Sequence, residues 1–287
     1  MSVATFIPTL WEARLLANLD NEHVATNFVN RDYEGEIKQK GDKVKVNSIG
    51  DITVKKYTKG TDIDDPEDLT TEDQDLTIDQ ADYFNFAVND VDKVQAAGTL
   101  MDKAMQRASY GLSESSDAFI FKTMASGAKL KVGSASDATA LTSTNAYAIL
   151  VDIKTAMDKK NVPKSGRKIA VPPEMEGLLL LDQRFVATGS QNAEGRLANG
   201  LIGRAAGFDI YVSNNLPLTG GVYTMIAAVP MATSYAEQIV ETKAYEPEKS
   251  FADAVKGLQV YGAKVFYPYC ICAAYVKFPE TTVTSEA

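Results

Sequence analysis

An α+β chain is predicted by three features of the sequence: a two-armed β-excursion over residues 34–89, a helical stripe from Asp90 to Ser126, and an α/β stretch from residue 144 that closes on β-only runs. In the excursion, Lys43 to Ile49 and Asp51 to Thr58 are rich in β-branched residues, and Gln74 to Asn89 reads as one period-two run through Leu76, Ile78, Tyr83, Phe84 and Phe86. In the helix, Val94, Ala97, Met101, Ala104, Ala108, Leu112, Ser115 and Phe119 recur at spacings of three and four. Unbroken, it would span roughly 50 Å at 1.5 Å per residue. A compact enzyme domain has little use for so long an excursion, and the chain reads as one built to reach its neighbours.

The remaining elements follow in order. Thr9 to Asn21 predicts a short helix after Pro8, with Leu10, Trp11, Ala13, Leu15 and Leu16 on its apolar face. The segment then runs polar through Asn27 to Glu34 and reads as an arm, not a core element. Gly98 and Gly111 weaken the long helix and allow a bend at either. After a Gly/Ser/Ala-rich joint at Ser126 to Ser143, Thr144 is suited to cap a helix through Lys160, which Val162-Pro163 ends. Lys168 to Val171 is a short strand, and Pro173 opens a helix reaching Leu181. Gly189 to Gly207 is a long glycine-punctuated loop. Strand signals follow at Phe208 to Val212, Val222 to Val229, Ile239 to Tyr245, Ala254 to Phe266 and Cys270 to Phe278, the last three reading as one antiparallel set.

With 287 residues, 45% of them hydrophobic and 23% charged, the chain has the make-up of a folded protein of one large or two intimately joined domains. A net charge of −9 argues against a nucleic-acid surface as the main function, because phosphate neutralisation needs clustered Lys and Arg. The best basic cluster, Lys159, Lys160, Lys164, Arg167 and Lys168, falls at a predicted helix end, where cations favour the dipole. Met1 to Trp11 has no basic n-region and contains Pro8, so no signal peptide is read. The longest apolar runs fall far short of a membrane span. A soluble chain made in the cytoplasm, with no membrane partner, is expected.

Charge is sorted within the excursion. Ile37 to Lys59 holds seven Lys against Asp42 and Asp51, while Gly60 to Asp92 holds twelve Asp or Glu and no Lys, Arg or His. Such blocks commonly form a solvated face. As a set, a basic limb joined to an acidic limb also suits register-setting contacts with a neighbour or self-pairing within one hairpin. The residues singled out on this ground are Lys55, Lys56, Lys59, Asp62, Asp64, Asp65, Glu67 and Asp68.

No catalytic signature is found: GxSxG, GxxxxGK[ST] and GxGxxG are all absent. His23, the single histidine, is poorly placed to anchor a Ser-His-Asp arrangement. Asp73, Asp75 and Asp79 share a strand face and would attract a hard cation, but without calcium-loop spacing they read as solvated carboxylates. Cys270 and Cys272, the two cysteines, lie two apart in a strand-like run, point to the same face and read as buried core thiols. No cofactor, metal site or enzymatic role is expected.

The order of elements resembles a known family. The texture of Val171-Pro172-Pro173 leading to Arg184-Phe185, of Gly203 to Gly207 leading into Phe208 through Pro217, and of Gly257 to Val265 leading into Tyr267-Pro268 is similar to that of tailed-bacteriophage major capsid proteins with the Hong Kong 97-type shell fold. The resemblance covers essentially the whole chain. It implies an N-terminal arm at 1–33, an extended E-loop at 34–89 lying over an adjacent subunit, and a peripheral domain with its spine helix at 90–143. An axial domain at 144–235 and peripheral return strands with a C-terminal tail at 236–287 complete it. Tyr245 to Ser250, with Glu246, Glu248 and Lys249, would be a loop where capsomers meet, and Trp11, Leu15 and Leu16 would anchor the arm.

The implied role is a self-assembling subunit of hexamers and pentamers in an icosahedral shell around double-stranded DNA, bound without sequence specificity and assembled in the host cytoplasm. A separate scaffolding protein and a portal are implied partners. Some relatives crosslink an E-loop Lys to an Asn of the peripheral domain; Leu216 to Ala287 contains no Asn, so no such bond is expected. Two alternatives stand beside this reading. One is an encapsulin-type compartment holding a cargo enzyme, and the other a cytoplasmic α/β enzyme or binding module, which leaves residues 34–126 without a purpose.

Overall fold

The structure, a computed structural model, describes residues 23–33, 41–49, 56–57, 59–60, 62, 65, 71–89, 100–181, 201–245, 247 and 252–279. The expected helix at Thr9 to Asn21, the run Asp51 to Lys55 and the first part of the long helix lie outside these residues. The described elements are β1 (Lys43–Ile49), β2 (Thr71–Thr77), β3 (Gln80–Asn89), α1 (Leu100–Gly127), β4 (Leu130–Val132), β5 (Thr139–Ala140), α2 (Ala146–Asp158), β6 (Lys168–Val171) and α3 (Pro173–Leu180). Then come β7 (Leu201–Ala205), β8 (Phe208–Val212), β9 (Leu218–Thr219), β10 (Val222–Ala228), β11 (Thr233–Tyr245), β12 (Ala252–Val265) and β13 (Ile271–Lys277).

Three sheets result. An eight-stranded mixed sheet runs β4-β13-β10-β6-β8-β7, with β5 beside β13 and β9 beside β10. Its strands are short and apolar on successive residues because both faces are buried. Ile169 and Val171 of β6, Met225 and Ala227 of β10, and Cys272, Ala274 and Val276 of β13 point to one core, under α2 and α3. The intervening Ala170, Ile226, Ala228, Ile271 and Ala273 point to the other, where Ile120, Phe121 and Met124 of α1 cover them.

The second sheet is three-stranded and antiparallel, in the order β11-β12-β3. Met105 and Leu112 of α1 pack on its inner face with Ile239, Val255, Phe84 and Phe86. Helix α1 therefore ties the two sheets together: 28 residues at 1.5 Å each give it about 42 Å of length. Its buried serines are satisfied along the helix, Ser113 Oγ donating to the Ser109 carbonyl at 3.1 Å and Ser116 Oγ to the Leu112 carbonyl at 2.7 Å.

The third sheet is the antiparallel pair β1-β2. Among the described residues it meets the outer face of the second sheet at its base, where Val44, Leu76 and Ile78 join Ala236, Val260 and Phe266. Gly41 N–H donates to the Ile78 carbonyl at 2.8 Å and Ile78 N–H to the Asp42 carbonyl at 3.1 Å, closing that base.

Several expectations are corrected. The run Gln74 to Asn89 is two strands: Ile78-Asp79 breaks it, so that β2 pairs with β1 while β3 pairs with β12. The last three strands do not form one set. β11 and β12 pair with each other, but β13 crosses to the large sheet, between β10 and the short strands β4 and β5, where its side chains are buried on both faces. Helix α2 starts after Asn145, not Thr144, and stops at Asp158, two residues before Lys160. The loop to Gly207 contains β7, and Ala206-Gly207, at φ 49° and 85°, makes a two-residue hairpin turn into β8.

The Gly/Ser/Ala joint holds the short strands β4 and β5. Cys270 sits in a single 3-10 turn and is half-buried, whereas Cys272 is fully buried in β13, so the two do not share a strand face. The basic cluster is dispersed: Arg167 is buried, its Nη1 2.7 Å from Asp158 Oδ1, and Lys168 donates to the Asn27 carbonyl at 2.7 Å. The segment read as a polar arm is partly core. Phe28 is fully buried, edge-on to Phe121 at 5.7 Å and to Tyr211 at 5.4 Å.

The seating of the β1-β2 base depends on Gly262. A Cβ there would overlap the Thr77 carbonyl oxygen and lie 3.0 Å from Ile78 Cα, both of them backbone atoms that cannot rotate aside. Gly262→Ala should destabilise the subunit by about 1–3 kcal/mol, the usual cost of overpacking. Gly111→Ala, in α1 with nothing within 4 Å of the added Cβ, should stabilise it by about 0.5–1 kcal/mol. Denaturant unfolding of the two variants checks both signs.

Candidate interaction surfaces and a buried charge cluster

The β1-β2 register places Lys45 opposite Asp75, and Lys43 Nζ lies 3.8 Å from Asp75 Oδ2 with both side chains well exposed. Self-pairing of the basic and acidic limbs is thus realised near the base of the arm. Pairs this exposed contribute only about 0–1 kcal/mol. Farther out, Val46, Asn47 and Ser48 stand opposite Gln74, Asp73 and Glu72. Lys56, Tyr57, Lys59, Asp62 and Asp65 are exposed, Tyr57 at 72%. Lys55, Asp64, Glu67 and Asp68 lie outside the described residues, as do Trp11, Leu15, Leu16, Glu246, Glu248 and Lys249.

A second exposed surface lies on the three-stranded sheet beyond the arm's base. Tyr83, Phe84, Asn85, Lys243, Lys256, Gly257 and Leu258 line a groove of about 320 Å³. Lys243 and Lys256 stand directly opposite each other across β11 and β12. Lys256 Nζ lies 5.1 Å from the Tyr245 ring centre, a cation–π distance, and Tyr245 OH donates to Asn85 Oδ1 at 2.9 Å.

Beneath these surfaces lies a charged cluster that sequence reasoning missed. His23 Nδ1 is 2.8 Å from Asp117 Oδ1, and the N–H groups of Val24 and Ala25 donate to the same carboxylate at 3.0 and 3.1 Å. Asp117 thereby satisfies amides at the start of the single 3-10 turn at Ala25–Phe28. Glu237 accepts from Arg31 Nη2 at 2.9 Å, Tyr235 OH at 2.7 Å and Gln259 Nε2 at 2.8 Å. Burial first, then Glu237, pushes the Tyr235 hydroxyl well above the ordinary tyrosine range. Burial likewise pushes the Cys272 thiol up to about 12. His23 meets Asp117 and Glu237 only through tertiary folding, at sequence separations of 94 and 214, and no local signal marks them.

Ser116 Oγ lies 3.4 Å from His23 Nε2, so Ser116, His23 and Asp117 stand in nucleophile–base–acid order. The arrangement is structural. All three side chains are buried, and Ser116 Oγ already donates to the Leu112 carbonyl. Among the described residues no group of three His, Cys, Asp or Glu is placed to hold a metal, and no helix is long and apolar enough to cross a membrane.

These features find their relatives in one class of protein. A family model described as phage capsid protein matches residues 50–274. A chain of Mycobacterium phage Che8 is 30% identical, with 88% of this chain and 91% of that one covered and a TM-score of 0.65. The capsid of Ralstonia phage GP4 is 12% identical over 91% of this chain and 93% of that one, at a TM-score of 0.65. A virus-like particle from Pyrococcus furiosus shares the fold more loosely, at 14% identity and a TM-score of 0.54 over 93% and 98% of the two chains. Among curated proteins nothing matches. With the α1 spine, the two sheets hung on it and the projecting β1-β2 arm in view, the chain belongs to the phage capsid protein family, as a major capsid protein of the Hong Kong 97-type fold and a structural subunit of a homo-oligomeric virion shell.

Proposed function

We infer that the subunit forms pentamers and hexamers that close around double-stranded DNA, that the β1-β2 arm lies over an adjacent subunit, and that the protein carries out no catalysis. The observation that carries this reading is the arm itself. Its described apolar burial is confined to the base, at Val44, Leu76 and Ile78, and a two-stranded ribbon is marginal alone in water. A neighbouring subunit supplies the support it lacks. The net charge of −9 fits a container for DNA, because a strongly basic inner wall would bind the genome and hinder its passage. Residues 144–235 would meet their copies at the capsomer centre, and Tyr245 to Ser250 would meet other capsomers. A separate scaffolding protein and a portal would direct assembly in the host cytoplasm.

Purified protein should form megadalton particles by light scattering that protect DNA from nuclease when recovered from infected cells. Protein cargo without DNA would favour the compartment reading. Shortening the segment from Thr58 to Thr70, or replacing Asp62, Asp64, Asp65, Glu67 and Asp68 with Asn or Gln, should leave the circular dichroism of the subunit near normal while particles become fewer or misshapen by electron microscopy. Normal assembly of the shortened variant would remove the arm from the interface.

Two further outcomes are expected. Boiled particles should run as one band on a denaturing gel, because the chain from Leu216 onward offers no Asn for a Lys-to-Asn bond; a reductant-resistant ladder would contradict this. Trp11→Ala should lower particle yield more than subunit solubility, since an apolar face on a terminal segment needs a cover. Unchanged yield would mean that Trp11 has no partner in the shell.

A further inference from the structure

The cluster around His23 is wired for one more task, and it belongs to the subunit itself, independent of how subunits meet. The ring is 1% exposed, and its two nitrogens face carboxylates on different elements. Nδ1 is 2.8 Å from Asp117 Oδ1 on α1, and Nε2 is 3.8 Å from Glu237 Oε2 on β11, with Ser116 Oγ nearer at 3.4 Å but its proton already given to the Leu112 carbonyl. Arg31 is the other cation, 2.9 Å from Glu237 Oε1. Two carboxylates balance two cations only while the imidazole holds both of its protons. A neutral ring donates from one nitrogen and turns a lone pair toward whatever the other faces.

We propose that His23 is a proton-operated latch at the root of the N-terminal segment: as imidazolium it bridges Asp117 and Glu237 and holds His23, Val24 and Ala25 against α1 and β11, and on deprotonation that end loosens while Phe28 stays seated. The second anchor is separate. Phe28 lies between Phe121 and Tyr211, and Asn30 N–H donates to the Thr233 carbonyl at 2.8 Å, so opening is confined to the first turn.

The electrostatics agree in sign. Burial opposes the charge on His23, but the hydrogen bond and charge of Asp117, followed by the charge of Glu237, outweigh it against a smaller opposition from Arg31, and the pKa stands above the ordinary histidine value. A group whose docked pKa is raised lends its stabilisation fully below the ordinary value, about 6.5, and loses it as pH rises through the docked pKa. The latch is therefore closed in mild acid and opens toward alkaline pH.

The other groups facing the segment do not share this window. Burial and Glu237 hold Tyr235 well up, and Tyr261, burial foremost, is pushed up to about 12. The chain has one His and two Cys, and burial raises both thiols. Lys168 of β6, which donates to Asn27 O, is drawn down by burial and is, among the described residues, a rival titrating cation at this segment.

Hydrogen exchange of the full chain from about pH 6 to about pH 9, corrected for the intrinsic rate and resolved by fragmentation to Val24 and Ala25, tests the latch. In the wild type these two amides should exchange up to roughly tenfold faster per pH unit between the ordinary histidine value, about 6.5, and the docked pKa and level off above it, while Asn30 and the β13 amides stay flat. In His23→Gln they should be fast and independent of pH. A flat wild-type profile overturns the proposal even if the variant fails to fold. A pH dependence that persists in His23→Gln overturns it too, and assigns the effect to Lys168.

Discussion

The structure depends on one geometric constraint: the central sheet is apolar on both faces and must be covered twice. On one side α2 and α3 meet the need, with Ile149, Ile153 and Met157 packed over β6, β10 and β13. On the other the cover is the C-terminal half of α1, helped by Ala25 and Phe28. Because α1 continues past the edge of that sheet, its N-terminal half is free to hold the three-stranded sheet through Met105 and Leu112. One helix thus fixes the relative placement of two sheets, and whatever disturbs its packing disturbs both.

The β1-β2 arm follows from what this frame leaves open. The inner face of the three-stranded sheet is taken by α1, so the arm seats on the outer face at Ala236 and Val260, with Gly262 allowing backbone to lie on backbone. The described apolar burial of the arm lies at that seat, in Val44, Leu76 and Ile78. Weak pairs such as Lys43–Asp75 set register without locking the arm in place.

The buried charges obey a different logic. Removing one partner of a buried, hydrogen-bonded pair costs about 3–5 kcal/mol, so His23, Asp117 and Glu237, with the half-buried Arg31, hold the start of this segment in place while the imidazole is charged. That position is specific because Asp117 also satisfies the Val24 and Ala25 amides. Phe28 adds apolar burial without direction, while the charges add direction.

Much of the fold was legible because its signals are local. β6 and β8 fall on the residues that their apolar runs mark, α3 begins at Pro173 as the fixed φ of proline favours, and the small-residue stripe announced α1. The sorted charge of the arm was also visible, though not how its limbs pair. Pairing partners were not legible. A strand's residues state how many of its faces are buried but not against which strand, so β13 left the set it was read with, and Ile78-Asp79 split one alternating run between two sheets. His23 gave no sign at all, since its partners lie 94 and 214 residues away. Sequence by itself marked the longer elements such as α1, β6 and β8, the charge sorting and the resemblance to the family; tertiary structure decided which faces meet and which charges are buried, because burial and long-range pairing depend on where the chain returns, and local propensity does not encode that.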